Sequence, residues 1–375
     1  MPLSATTLTQ DRYRIDESRH RIGEAGFMAR WRELLGTSES PERVFQSPEY
    51  FGFLTDKAVD GERVELYAVT ERDSGDTVGI IPVRVCQHGL EFRAGRWRFA
   101  TLPLQCVALL GSVPLLPATP DLLDQVFRFL LAQFPQCQAI SLATVPASAS
   151  LWQCIGTSTL FARRYARHLP HNWRGCHRIP LPATFAAYLG QFGAKRRYNL
   201  GRQLRQLRAH AGGQLALHRI EAPEQVDRLS TALTRLATPE HRRQLLSDAT
   251  LLALARRGLL LCYVMECEGQ PAALLLAMRF DGTLHLQNIF HDPALAHLSA
   301  GTAILHLAIE DLCERRAAQT IDLAYGSPAH DCPSSNVIAQ RAHVLLLRPS
   351  LKNRLVCRLH AGFDALVARI KRWSR

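Results

Sequence analysis

Leu298, Ser299, Ala300, Gly301 and Thr302 form the stretch of this chain best suited to hold a phosphate. They fall between an alternating strand pattern over 283–289 and a helical pattern over 301–316. A helix entered through small residues leaves backbone N–H groups unpaired and presents the positive end of its dipole. A pyrophosphate, such as one joining an acyl-phosphopantetheine to a nucleotide, is suited to such a place. The same residues also read as an ordinary serine cap followed by a permissive glycine. After the helix a short apolar strand, 320–324, contains Asp322 and is followed by Tyr325. A carboxylate in an apolar strand is costly unless paired, which makes Asp322 a candidate general base or acceptor-orienting group, or else the cap of the next turn. Tyr325, a phenol with a pKa of about 10, could protonate a departing thiolate or simply pack on a sheet edge.

Upstream, a helix over 195–209 carries Lys195, Arg196, Arg197, Arg202, Arg205 and Arg208 against apolar Leu200, Leu204 and Leu207. Its first turn offers Arg196, Arg197 and Asn199 to anionic groups of an acceptor, since guanidinium pairs bidentately with phosphate or carboxylate. A solvated basic face is the other reading. His285 and Gln287 lie on the polar side of the strand before the loop, where they would line an acceptor pocket or the wet side of a sheet. His291, Asp292 and His297 lack metal-ligand spacing, so no metal is expected. Absence of a Walker loop, a strand-linked G-x-G-x-x-G and a G-x-S-x-G elbow argues against nucleotide hydrolysis, a Rossmann cofactor and an α/β-hydrolase.

These groups need a scaffold, and 375 residues with 47% hydrophobic and 21% charged content supply material for two cores. Periodicity predicts helices over 22–35, from Ser47-Pro48 and over 120–134, with strands over 64–70, 78–85 and 139–143 and short apolar or alternating stretches at 90–100 and 106–110. After a junction within 147–172, the plan returns. Strands are expected at 176–181, 214–220, 259–266, 272–280, 283–289, 320–324 and 343–347, with helices at 185–189, 195–209, 223–236, 239–256, 301–316 and 351–373. The crossover from 283–289 to 320–324 through a helix implies a parallel pair. The ten cysteines are scattered with no C-x-x-C and read as reduced core thiols. The first twenty residues hold no apolar h-region and no apolar run approaches the roughly 18 residues of a bilayer span, so a cytoplasmic protein is expected.

The stretch Gly193-Ala194-Lys195-Arg196-Arg197-Tyr198-Asn199-Leu200-Gly201-Arg202 resembles the basic R-x-N-x-x-R helix of GNAT-type acyltransferases from polysaccharide-biosynthesis clusters, the CelD-like group. Ser299-Ala300-Gly301 followed by Asp322-Leu323-Ala324-Tyr325-Gly326 is similar to that group's second signature, and Phe45-x-Ser47-Pro48 to its opening. The resemblance implies an α/β (α+β) fold of two tandem GNAT-like domains, as in FemAB-type transferases, each a mixed, mostly antiparallel sheet flanked by helices. The expected boundaries are 1–160 and 161–350, with a basic amphipathic helix at 351–375. It further implies acetyl-CoA or another acyl-CoA as co-substrate and a sugar-like or amine acceptor. One departure stands out: where the family continues into Tyr-Lys, this chain has Ser327-Pro328-Ala329-His330-Asp331-Cys332.

The net charge of +12 suits CoA phosphates, lipid phosphates or RNA. An alternative donor is therefore aminoacyl-tRNA, and a third reading is a non-catalytic GNAT-like partner at a membrane or in an assembly. The last helix places Leu351, Leu355, Val356, Leu359, Phe363, Leu366, Val367, Ile370 and Trp373 at helical spacing among arginines and lysines. It suits docking on the protein's own core or peripheral contact with an anionic membrane.

Overall fold

The computed structural model describes residues 12–56, 63–95, 97–238, 247–325 and 337–373. The chain divides into two compact units, residues 1–174 with 340–375 and residues 175–339.

Unit 1 begins with strand β1 (Tyr13–Glu17), helices α1 (Ala25–Gly36) and α2 (Pro48–Asp56), and strands β2 (Arg63–Glu71), β3 (Thr77–Ala94) and β4 (Trp97–Leu109). Helix α2 starts as its sequence predicts: Ser47 Oγ accepts from the Tyr50 N–H at 3.1 Å, and Pro48 takes the first position. Gly75, at φ +74°, turns the chain between β2 and β3. The alternating stretch 90–100 contains the turn of the β3–β4 hairpin, with Gly95 at φ +60° and Ala94 opposite Trp97. Alternation runs on through both arms, so only the glycine marks the reversal. Helix α3 (Pro120–Gln133) then crosses to β5 (Ala139–Pro146), which lies parallel to β4. Its apolar stripe, Leu122, Leu123, Val126, Phe127, Leu130 and Leu131, is buried in the core. Helices α4 (Ser150–Thr157) and α5 (Thr159–Arg164) and the short strand β6 (Ala166–His168) fill the junction.

Unit 2 follows with β7 (Arg174–Pro180), whose first residue still belongs to unit 1, then α6 (Phe185–Gly190), α7 (Ala194–His210), β8 (Leu215–Ile220), α8 (Val226–Leu236) and α9 (Asp248–Arg256). The expected helix start at 239 falls in a segment outside the described residues. Strands β9 (Cys262–Cys267), β10 (Gln270–Phe280) and β11 (Thr283–His291), helix α10 (Ala300–Glu314) and strand β12 (Thr320–Asp322) complete it. The strands pair in the order β7-β12-β11-β10-β9-β8, antiparallel except for β11 with β12. Asp281 and Gly282 both have positive φ, +45° and +70°, the requirement of a tight two-residue hairpin turn. The parallel pair spans only Thr283–His285 against Thr320–Asp322, and β11 then runs on to His291.

Strand β13 (Val337–Leu347) and helix α11 (Leu351–Trp373) close the chain. From Arg341 to Leu347, β13 lies antiparallel to β5, and its end also pairs with β6. Helix α11 lies on unit 1 through Cys357, His360 and Phe363: His360 bonds His168 and the Glu91 carbonyl at 3.2 and 3.1 Å, and Phe363 stacks edge-on against Phe92. Leu351, Leu355, Leu359, Leu366 and Ile370 are exposed, so the core accounts for only part of the helix's apolar content. All described cysteines are free thiols and most are buried, as expected; Cys332 lies outside the described residues.

Candidate functional site

In unit 2 the chain enters α10 in an unusual way. Ser299 sits in the left-handed region at φ +57°, and its side chain does not cap the helix. Its carbonyl instead accepts the N–H groups of Thr302 and Ala303, both at 2.9 Å, while its Oγ accepts from Gln203 Nε2 at 3.1 Å. The N–H groups of Ala300 and Gly301 make no hydrogen bond among the described residues. With no acidic residue in the first turn, the start of α10 is an open, positively polarised donor pair.

That helix start opens into a cavity of about 730 Å³, lined on this side by Ser299, Gly301 and Thr302. Gly301 sits at a close approach: a Cβ there would come within 3.3 Å of His291 Nδ1, a tight contact, and 3.6 Å of Ile289, an ordinary one. Both of those residues belong to the end of β11 and also line the cavity. Opposite Leu276 and Ala277 of β10, β11 carries one extra residue, because Asn288 pairs with Leu276 and Leu286 with Ala277. Gln287 is therefore a bulge, exposed, in the part of β11 beyond its pairing with β12. Bulges re-aim a strand's groups and end regular pairing, and they are common beside active sites.

Helix α7 supplies the facing wall. Arg196, Asn199 and Gln203 recur at helical spacing and line the cavity, Leu200 and Leu207 are buried, and Lys195, Arg197, Arg202, Arg205 and Arg208 point outward into solvent. The guanidinium of Arg196 lies over the Phe192 ring at 4.1 Å. Arg197, grouped with it by sequence, turns away and donates to the Phe192 carbonyl at 2.6 Å. The basic helix thus divides into a site face and a solvated face.

At the inner end is His306, only 2% exposed. Neither ring nitrogen has a hydrogen-bond partner among the described residues. Burial, helped by the nearby charge of Arg196, pushes its pKa down to about 4, so the ring is neutral at physiological pH. Sequence reasoning missed His306 although a signal was present. A single histidine interrupts Ile304-Leu305-His306-Leu307-Ala308, four residues after Thr302 and so on the same face.

The remaining sequence candidates fall elsewhere. Asp322 is buried; its Oδ2 accepts from Arg178 Nε at 3.2 Å and its Oδ1 from the Ala324 N–H at 2.9 Å, which holds the turn after β12. His285, also buried, stands in register between Met278 and Asp322. Neither is among the residues lining the cavity. Tyr325 is half-buried at the last described position before 326, and the departure at 327–332 lies outside the described residues. Leu298 and Ala300 flank the loop and pack into the core. No group of three or more His, Cys, Asp or Glu among the described residues could hold a metal ion.

Residues 194–330 match the family model described as an acetyltransferase (GNAT) domain. No curated protein sequence matches the chain. Solved structures similar to it include FemX, with TM-score 0.56 and 8% identity over 88% of this chain and 98% of that one. Another is a tandem GNAT protein from the clavulanic acid biosynthesis pathway, with TM-score 0.52 and 10% identity over 90% of this chain and 99% of that one. A third is a lysylphosphatidylglycerol synthetase-type C-terminal domain from Agrobacterium fabrum, with TM-score 0.51 and 10% identity over 90% and 96% of the two chains. At these identities the likeness is one of fold: a mixed α/β architecture with tandem GNAT-like relatives.

Proposed function

We propose that unit 2 transfers an acyl group, acetyl or similar, from acyl-CoA to an amine or hydroxyl of a sugar-like acceptor, in exopolysaccharide or envelope-glycan synthesis. The observation that carries this is the start of α10, where the N–H groups of Ala300 and Gly301 are unengaged and Ser299, Gly301 and Thr302 line a cavity beside the bulged end of β11. Those N–H groups, with Thr302, suit the pyrophosphate of the donor, because a helix start binds anions through donors and dipole together. The thioester supplies an acyl carbon already activated toward attack.

The chain's own groups then divide the work. Backbone N–H groups near the Gln287 bulge are candidates to receive the developing oxyanion, the arrangement that most strengthens acyl transfer. Arg196 and Asn199 would hold the acceptor's polar groups from the α7 side. His306, neutral and unpaired, accepts a hydrogen bond from the attacking N–H or O–H and so orients its lone pair. With a pKa of about 4 it is a poor final store for the proton, which passes on to water. As the C–N or C–O bond forms and the C–S bond breaks, the sulfur leaves as thiolate, with Tyr325 a candidate to protonate it. Asp322 serves through Arg178 and the Ala324 N–H, fixing the end of β12.

Calorimetric titration with acetyl-CoA and longer acyl-CoAs is the direct test. Binding by the wild type and its loss in Gly301→Trp are expected, whereas no binding by the wild type would sink this reading. The exposed row Lys195, Arg197, Arg202, Arg205 and Arg208 motivates the competing donor, aminoacyl-tRNA. RNA binding that falls steeply with salt, in a protein without CoA affinity, would install that reading instead.

A further inference from the structure

We propose that the outer face of α11 docks unit 1 on an anionic lipid bilayer. The helix has two apolar faces, and only one is used within the described protein. Inward, Cys357, His360 and Phe363 are engaged by β3 and β6. Outward, Leu351 is 88% exposed, Leu355 58%, Leu359 57%, Leu366 56% and Ile370 59%. At about 100° per residue these five side chains fall within an arc of about 100°, a continuous stripe along a helix of about 34 Å. Arg354, Arg358 and Arg369 occupy the sector beside that stripe, on its exposed side.

A second exposed apolar element adjoins it. At the β3–β4 hairpin, Trp97 is 65% exposed and Phe99 68%, with Arg93 and Arg98 beside them. The Phe99 ring meets Phe363 of α11 at 5.9 Å, which ties the hairpin tip to the helix. Apolar side chains rimmed by arginine, with a tryptophan at the edge, match an interface whose interior is hydrocarbon and whose headgroups are anionic. No described helix is long and apolar enough to cross a membrane, so α11 would lie in the interface plane. A second copy of this chain is the less suitable occupant. Antiparallel two-fold pairing would set the stripe against itself and bring the two arginine rows together.

The test uses the full chain without substrates, so its outcome is separate from that of the acyl-transfer reading. Sedimentation with phosphatidylglycerol–phosphatidylcholine vesicles is compared with pure phosphatidylcholine vesicles. Wild type is expected to bind the anionic vesicles and to lose affinity as salt rises. Leu355→Glu with Leu359→Glu is expected to abolish binding. Arg354→Glu with Arg358→Glu should weaken it by at least about fivefold per arginine, equivalent to the ~1 kcal/mol of a basic residue near such a surface. Both pairs are exposed, so their thermal unfolding should match wild type. Failure of well-folded wild type to bind, equal binding to both vesicle types, or a dimer that the leucine pair dissociates would each overturn the proposal.

Discussion

Among the described residues each unit shows a parallel crossover, β4–α3–β5 in unit 1 and β11–α10–β12 in unit 2, yet the two helices begin in opposite electrostatic conditions. Helix α3 starts with Pro120, which has no N–H, and carries Asp121 in its first turn. The carboxylate complements the helix dipole and repels any other anion. Helix α10 starts with Ala300 and Gly301, keeps both N–H groups unengaged and has no acid in its first turn. The same supersecondary unit is closed to a phosphate in one place and open in the other. Burial of carboxylates, by contrast, is handled alike. Asp124 of α3 is bound by Arg128, Arg164 and Tyr165, and Asp311 of α10 by Arg219, Arg315 and Tyr263. A shared architecture therefore fixes the packing of the crossover and leaves its entrance free to differ.

The sharpest way to separate the units is acid. In unit 1, burial pushes both His168 and His343 down to about 4, with His88 and His171 lowered as well, while unit 2 has His306 alone strongly lowered among the described groups. Each is neutral in the fold and takes up a proton on unfolding at a pKa of about 6.5. The unfolded state thus binds more protons between pH values of about 6.5 and 4, and stability falls as pH drops through that window. Asp364, raised by burial, opposes this as a single group. All five tryptophans lie in unit 1, so their fluorescence reports its acid transition. Unit 1 should open first, before circular dichroism registers loss of the remaining structure. A transition absent above pH 4 would refute the comparison.

Next in size is the helix entrance. Gly301→Trp fills the space against His291 and should reduce acyl-CoA affinity by about a thousandfold, the scale of several lost charge-assisted hydrogen bonds. Asp121→Asn at the corresponding place in unit 1 should leave that affinity unchanged, and a loss there would show that the closed crossover also binds donor. His306→Leu tests the inner end of the cavity. It should lower kcat by about a hundredfold, typical for a lost proton-handling group. It should also raise stability by about 1 kcal/mol, since two unpaired buried nitrogens disappear. A purely structural histidine would change stability without that fall in kcat. Smallest is Asp124→Asn, expected to cost about 2 kcal/mol of stability through its arginine and tyrosine partners. Acyl-CoA affinity, measured on the folded variant, should stay as in wild type.

Much of the fold was legible because period and punctuation agree. The Asp281-Gly282 turn, the apolar stripe of α3 and the crossover into β12 follow from local sequence alone. What was not legible depends on three-dimensional pairing. No local signal shows that β11 bulges at Gln287, because the bulge exists only relative to β10. Nor does sequence tell Arg196 from Arg197: adjacent residues differ by about 100° around the helix axis, and only the position of the neighbouring β11 decides which one meets the cavity. His306 was visible as an anomaly in an apolar helix, yet its lack of partners required the surrounding side chains. The outer stripe of α11 was visible as hydrophobicity, while its exposure was decided by which face His360 and Phe363 claim.

The return of β13 to β5 also sets an order of manufacture. Unit 1 takes its last strand and helix from residues 340–375, after all of unit 2 has been synthesised. On a translating ribosome unit 2 has every one of its strands available first, while β5 waits with an unsatisfied edge. A stop codon placed after residue 339 would therefore deprive unit 1 of its last strand and helix. Premature termination in this chain would cost unit 1 its scaffold, and with it the proposed lipid contact.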